Sequence, residues 1–224
     1  MPLVVAVPDM HLPWCDWQSV SKIYAAVDNL NPDYVIQLGD MLDRFAFSRF
    51  AKSPTGMTVE EEIDEGYQGA CRFWANIQEA APKAKKIQLS GNHEHRLVRS
   101  CLERFPEAYS LLSRANGDFW KFKNVHTIHD HRHELEIAGV VYCHGWLTRL
   151  GDHARYLLKP VVHGHSHRGG TMFFNLGGRT IWELDCGYLA DKSQVPLQYG
   201  PTKTVLWTLG YGVIDGFGPR FIHL

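Results

Sequence analysis

The stretch Lys86-Ile87-Gln88-Leu89-Ser90-Gly91-Asn92-His93-Glu94 decides how this chain is read. A short apolar strand ends abruptly at Gly91, a polar cluster follows, and a helical pattern then carries Leu97, Cys101 and Phe105. Strand ends that hand Asn and His to the mouth of a helix are where α/β proteins place chemistry, because the carboxyl edge of the sheet is an open crevice. Other strand-like runs end in the same manner: Asp9-Met10-His11, Gly39-Asp40-Met41-Leu42-Asp43 and His144-Gly145, with Gly164-His165-Ser166-His167 completing the set. These loops are expected to build one two-metal site.

Working outward, Leu3 to Val7 is a continuous apolar run of the kind a buried parallel strand requires. Trp17, Val20, Ile23, Tyr24, Val27 and Leu30 recur at helical spacing, with Asp16 as cap and Asn31-Pro32 as stop. Tyr34 to Leu38 is a second buried strand, and residues 44–57 read as loop. Thr58 with Glu61 three residues later is a capping box, opening a helix whose stripe runs through Val59, Ile63, Tyr67, Ala70, Trp74, Ile77 and Ala81 to Pro82. The strand at 86–89 and the His93 helix, to about Phe105-Pro106, follow. Strand and helix thus alternate, which predicts a parallel sheet with right-handed crossovers.

Residues 107–132 lack a clear pattern. Glu134–Ile137 and Val140–Cys143 flank Ala138-Gly139 as a hairpin, and a short helix over about 149–158 leads to Pro160-Val161-Val162-His163. The runs Met172–Phe174, Thr180–Leu184, Thr204–Leu209, Gly212–Asp215 and Phe221–His223 predict a second, mostly antiparallel sheet. The expected architecture is α/β: two mixed sheets face to face, flanked by helices, with the site at strand C-terminal loops and one domain over 1–224.

The bulk properties are those of a globular protein, with 45% hydrophobic residues, 21% charged residues and a net charge of -1. That balance argues against non-specific coating of DNA, which needs a basic stripe or tail. The N-terminus has no basic start and reads as no signal peptide, and no run is long enough for a membrane span. Cys15, Cys71, Cys101, Cys143 and Cys186 are scattered, odd in number and without a Cys-x-x-Cys pair, so reduced, mostly buried thiols in the cytoplasm are expected. No obligate protein partner is evident.

Asp9, His11, Asp40, Asn92, His144, His165 and His167 offer two carboxylates, one amide oxygen and four imidazoles. Such oxygen and nitrogen donors suit Mn²⁺, Fe, Zn²⁺, Co²⁺ or Ni²⁺ better than Ca²⁺. Asp-x-His and His-x-His put both side chains on one face of an extended segment. Seven donors exceed one tetrahedral ion and match two ions sharing a carboxylate. Two ions about 3.5–4 Å apart, bridged by carboxylate and hydroxide, are suited to in-line attack at phosphorus.

Asp9-x-His11, Gly39-Asp40-x-x-Asp43-Arg44, Gly91-Asn92-His93-Glu94, His144-Gly145 and Gly164-His165-x-His167 resemble, in order, the motifs of the calcineurin-like metallophosphoesterases. The resemblance spans residues 9 to 167, and it is nearest to the compact bacterial and bacteriophage members, including Trp207-x-x-Gly210-Tyr211 before a late strand. It implies one metal at Asp9, His11 and His167, another at Asn92, His144 and His165, and Asp40 bridging them. It further implies that His93 donates a proton to the leaving oxygen or binds the phosphate, and that Asp43 orients it. Arg44 and Arg96 are candidates for phosphate contacts. Manganese is the favoured ion pair, and the substrate is a phosphate ester, with nucleic acid or nucleotide among the candidates. A phosphodiesterase is favoured over a phosphomonoesterase or phosphoprotein phosphatase, and over a non-catalytic scaffold.

Other features have plainer readings. His126, His129, His131 and His133 read as a solvated strand edge before the hairpin rather than a third metal site. His163 reads as packed, Cys143 as a core thiol facing away from His144, and Trp14 and Trp17 as core rather than a base-stacking pair. Arg96 and Arg99 read as a basic lip or a solvated helix face.

Overall fold

The computed structural model describes residues 1–49, 56–110, 121–194 and 206–224. The first sheet begins with β1 (Val4–Val7) and β2 (Tyr34–Gln37), joined by α1 (Trp17–Leu30). The Asp16 side chain accepts hydrogen bonds from Gln18 N and Ser19 N at the start of α1, and Asn31 closes it in the left-handed conformation. A one-turn 3-10 helix, Phe45–Phe47, precedes α2 (Val59–Ala80), whose Thr58–Glu61 capping box forms as the spacing predicts. Then come β3 (Lys85–Gln88), α3 (His95–Arg104) and β4 (Val125–Thr127).

The second half supplies β5 (Leu135–Ile137), β6 (Val140–Tyr142), α4 (Asp152–Leu157), β7 (Val161–His163), β8 (Gly170–Leu176) and β9 (Arg179–Asp185). The strands β10 (Gly210–Asp215) and β11 (Gly218–His223) close the chain. The hairpin turn at Ala138-Gly139 has φ of 51° and 81°, as a mirror-image two-residue turn requires.

One sheet has the order β11-β10-β1-β2-β3-β4 and the other β5-β6-β7-β9-β8. Both are mixed. Between them lies a core of Val4, Ala6, Ile36, Leu38, Val162, Leu184 and Ile214. On the outer face of the first sheet, Val20, Ile23 and Val27 of α1 and Phe73, Trp74 and Ile77 of α2 cover Val5, Val7 and Val35. On the outer face of the second, Ala154 of α4 packs with Val141, Cys143, Val161 and Ile181. The four layers are therefore helix, sheet, sheet, helix. Each fully buried valine of β1 contributes roughly 1.5–3 kcal/mol of burial free energy.

Two expectations need correction. β10 and β11 do not extend the second sheet: β10 pairs antiparallel with β1 in the first. The second sheet is also parallel at its centre, through β6–β7 and β7–β9. Alternation identifies a strand, but partner choice depends on which exposed edge it meets. Residues 204–205 of the anticipated Thr204–Leu209 strand lie outside the described residues, and of the rest Leu209 makes an isolated bridge to Tyr188. β4 falls in the stretch that shows no pattern by sequence; it pairs parallel with β3 at the sheet edge and is only partly buried.

Candidate metal centre

The donor loops leave the carboxyl ends of β1, β2, β3, β6 and β7, so the parallel strands at the heart of both sheets point the same edge at one spot. The Asp9 and Asp40 loops are tied together because Met10 N and His11 N both donate to Asp40 O at 3.0 Å. Glycine permits the close approach of neighbouring loops. A Cβ on Gly91 would lie 2.1 Å from Asp40 Oδ1, and one on Gly164 would lie 2.0 Å from Asp9 Oδ1. His11, Asp40, His165 and His167 all have positive φ, between 47° and 64°. That conformation is costly for such residues, and it persists at functional sites because the surroundings over-determine it.

The predicted ligands converge in two groups. In the first, His167 Nε2 lies 2.9 Å from Asp9 Oδ2 and 3.1 Å from His11 Nε2. In the second, His144 Nε2 lies 3.0 Å from Asn92 Oδ1, 3.3 Å from Asp40 Oδ2 and 3.3 Å from His165 Nδ1. Asp40 belongs to both neighbourhoods, since it also groups with His11 and His93. Backbone amides aim the carboxylates: His165 N donates to both oxygens of Asp9 at 3.0 Å, and His93 N donates to Asp40 Oδ1 at 2.8 Å.

The donor set fits metal ions on chemical grounds. His144 Nδ1 donates to Leu38 O at 3.2 Å, which leaves a lone pair on Nε2 facing the Asn92 and Asp40 oxygens. Acceptors that face one another in a buried site call for a cation between them, and a histidine held through its far nitrogen is the usual arrangement of a metal ligand. Without a cation a proton takes that place. Burial works against a charged His144, but Asp40, Asp9 and Glu94 outweigh it and raise its pKa to about 9. His165 is pushed down to about 3, by burial and then by His144. Burial opposes ionisation of Asp40, yet His144 and His93 hold it well below the ordinary carboxylate range.

His93 and Asp43 stand beside the ligands. His93 Nδ1 lies 3.4 Å from Asp43 Oδ2, and His11 Nδ1 lies 3.0 Å from the same oxygen. Arg96 and Arg44 face inward. Arg96 is buried and donates to Asp43 O at 2.9 Å and Asp43 Oδ1 at 3.0 Å, with its other terminal nitrogen 2.7 Å from His93 Nε2. Arg44, also buried, donates to Glu94 O at 2.9 Å. Neither guanidinium is a solvent-facing phosphate clamp, and Arg96 is no surface lip. Arg99, its neighbour one turn along, pairs with Glu103 at 3.8 Å.

Sequence reasoning assigned no role to Glu94, although it lies in the opening motif. Its buried carboxylate accepts from Gly91 N at 2.6 Å, Leu42 N at 2.8 Å and Asp40 N at 3.0 Å, clamping the Asp40 and Asn92 loops together. A second buried cluster also went unread. Glu183 accepts from Gly151 N, Ala154 N and the rings of His153 and His163. The histidines at 126–133 disperse: His126 is the exposed residue of the partly buried β4, and the His131 ring stacks on His95 at 4.3 Å between centroids. The plainer readings of Trp14, His163 and Cys143 agree with their burial.

Two mixed sheets carrying Asp, His and Asn donors at adjoining strand ends define an α/β metal-binding protein built for chemistry at the sheet edge. Residues 2–176 match the family model of the calcineurin-like phosphoesterases, and the chain belongs to that family. Membership makes it a phosphoester hydrolase that works with divalent metal ions, for which the Asp and His clusters are the ligands available. It is 23% identical to the Gene 54 protein of Mycobacterium phage D29, covering 95% of this chain and 89% of that one. The Gene 54 protein of Mycobacterium phage L5 is 20% identical over the same shares. Among solved structures it is similar to YfcE, a phosphoesterase from E. coli, with TM-score 0.46 and 14% identity over 96% of this chain and 88% of that one. Vps29 of Chaetomium thermophilum gives 0.44 and 10%, over 96% and 80%.

Proposed function

We propose that this protein hydrolyses phosphodiesters, using two divalent ions held by Asp9, His11 and His167 on one side and Asn92, His144 and His165 on the other, with Asp40 shared. The observation that carries the reading is the convergence of His144 Nε2 with the Asn92 and Asp40 oxygens, a buried arrangement that calls for positive charge between them, beside an open cavity. Bound cations supply positive charge for the phosphate oxygens and lower the pKa of water at the site. Manganese suits the mixed oxygen and nitrogen donors. The cavity, about 550 Å³, is lined by Asn92, His144 and His165 and extends to residues outside the ligand set, giving room for a second ester arm. The unpaired thiols, most of them buried, support a reducing compartment, and we assign the protein to the cytoplasm.

The roles of the chain's own residues follow from their contacts. His93 is the group we assign to protonate the departing oxygen, and Asp43 orients its ring through Nδ1. Arg96 donates toward His93 Nε2, so it fixes the tautomer with the proton on Nδ1 and must withdraw before Nε2 can act as an acid. Arg96 is thus a positioning residue for His93. Replacing it with Met should shift the pH–rate profile as well as slow turnover, and an unaltered profile would remove that role.

The function is tested on metal-stripped protein reconstituted with Mn²⁺, comparing bis-p-nitrophenyl phosphate with p-nitrophenyl phosphate, and single-stranded with duplex DNA. Preference for the diester is expected. Preference for the monoester would replace this reading by a phosphomonoesterase, and no turnover with two metals bound would replace it by a scaffold.

A further inference from the structure

The cavity beside the second group of candidate ligands has further lining residues that the hydrolytic machinery does not use. This wall comprises His131, Arg132, Glu134, Trp146 and Tyr156. Trp146 is 42% exposed and Tyr156 is 72% exposed, although their rings meet edge-on at 5.9 Å and 81°. Two large aromatic faces left open in one cavity, directly beside ligands of a phosphoester site, need an account.

Trp146 is held in place by buried chemistry. Its amide and that of Leu147 donate to His153 Nε2 at 3.0 and 3.1 Å, and its ring packs edge-on against the His153 ring at 4.8 Å. His153 Nδ1 in turn faces Glu183 Oε1 at 3.3 Å, and both His153 and Glu183 are fully buried. The loop therefore presents Trp146 from a fixed base, as a recognition platform requires and a loosely packed surface residue does not.

We propose that this wall is a subsite for the nucleobase of a nucleotide diester, with the base stacked on the face of Trp146 and edge-on to Tyr156 while its phosphate lies at the candidate ligands. The proposal rests on the phosphodiesterase reading. A base offers an aromatic face for stacking, which is tolerant of base identity. Glu134 accepts hydrogen bonds from ring or exocyclic N–H groups, whereas it repels a second phosphate or an acidic peptide. Arg132 and His131 supply donors for base oxygens. A lipid chain finds charged groups along this wall rather than a continuous apolar one. The volume, about 550 Å³, is within the usual range for a ligand of nucleotide size.

Two diesters with the same leaving group separate the possibilities: thymidine 5′-(p-nitrophenyl phosphate) and methyl p-nitrophenyl phosphate, assayed on the Mn²⁺-loaded full chain. The nucleotide ester should be favoured in kcat/KM by on the order of tenfold. Trp146→Ala and, separately, the more exposed Tyr156→Ala should erase that preference chiefly through KM. Equal kcat/KM for the two esters, or equal losses on both in each variant, would overturn the subsite. Turnover of p-nitrophenyl phosphate with neither diester cleaved sinks the phosphodiesterase reading instead. The subsite is then decided by calorimetry with the non-cleavable 5′-methylenephosphonate of thymidine against ethylphosphonate. Tighter binding of the former that is lost in Trp146→Ala supports the subsite, and equal affinities overturn it.

Discussion

Among the described residues, two of the clusters of histidine and carboxylate look alike by distance and differ in their hydrogen bonds. The Asp40, His144 and His165 group and the His153, His163 and Glu183 group each bring three potential ligand atoms within 4.8 Å. In the first, His144 Nδ1 is held by Leu38 O, and Nε2 faces the Asn92 and Asp40 oxygens, where a proton or a metal ion must supply the positive charge between them. In the second, nothing is left over. His153 Nε2 accepts two backbone amides, His163 Nδ1 donates to Gly164 O at 2.8 Å, and Glu183 receives four donors. Burial disfavours a charged His163, but Glu183 and Asp185 raise its pKa, and both ring nitrogens face oxygen acceptors. Ligand-like distances therefore identify a metal site only where acceptors are left facing acceptors. The second cluster is a latch that holds the loop after His144.

The sharpest break between the two would come from Asp40→Asn. It should lower phosphoester turnover by about a thousandfold or more, comparable to removing a central electrostatic contact. It should also abolish the stabilisation that added Mn²⁺ gives the parent protein, about 2.7 kcal/mol at a hundred times Kd and read as a rise in Tm. Metal stabilisation that survives in Asp40→Asn would mean the latch binds ions too. Glu183→Ala comes next, at about 3–5 kcal/mol of stability by urea titration, because two buried imidazoles and two buried amides lose their shared acceptor. Folded Glu183→Ala protein should still bind Mn²⁺.

Glu94→Gln should cost about 1–3 kcal/mol, since one of its oxygens becomes an amide facing backbone N–H groups. Here stability and metal affinity should fall together, in contrast to Glu183→Ala. The smallest effect is on pH dependence. Burial opposes ionisation of Glu183, but His153 and His163 hold its carboxyl far below the ordinary range. A depressed carboxylate stabilises above its unfolded pKa, about 4.5, and that stability is lost as pH falls toward the folded value. Glu183→Gln should therefore lose less stability than the parent protein between pH 4.5 and 2. Parallel acid curves for the two proteins would contradict the latch.

The candidate ligands could be picked out of the sequence because each sits at a strand end, next to glycine or at a spacing of two, where the chain's apolar pattern stops. Asp9, His11, Asp40, Asn92, His144, His165 and His167 all meet as the motifs imply. What the pattern did not carry was direction and partnership. Arg96 sits on a helix with other charged residues, and nothing local tells that its guanidinium turns in toward Asp43. Glu183 is one acidic residue in an alternating strand, and its partners lie 20 to 32 residues away. Trp146 and Tyr156 share a cavity with His131 only after two loops and a hairpin have folded.

The candidate ligands come from both sheets: Asp9, Asp40 and Asn92 follow strands of the first, while His144, His165 and His167 follow strands of the second. His11 and His167, which meet at 3.1 Å, are 156 positions apart along the chain. The centre therefore cannot form on either half alone, and it comes together only once the two sheets have docked. Long-range closure of this kind is slow, so metal capture should be a late event in refolding. Once captured, the ions link contacts absent from any partly folded form, and their chief kinetic effect should fall on the rate at which the sheets separate.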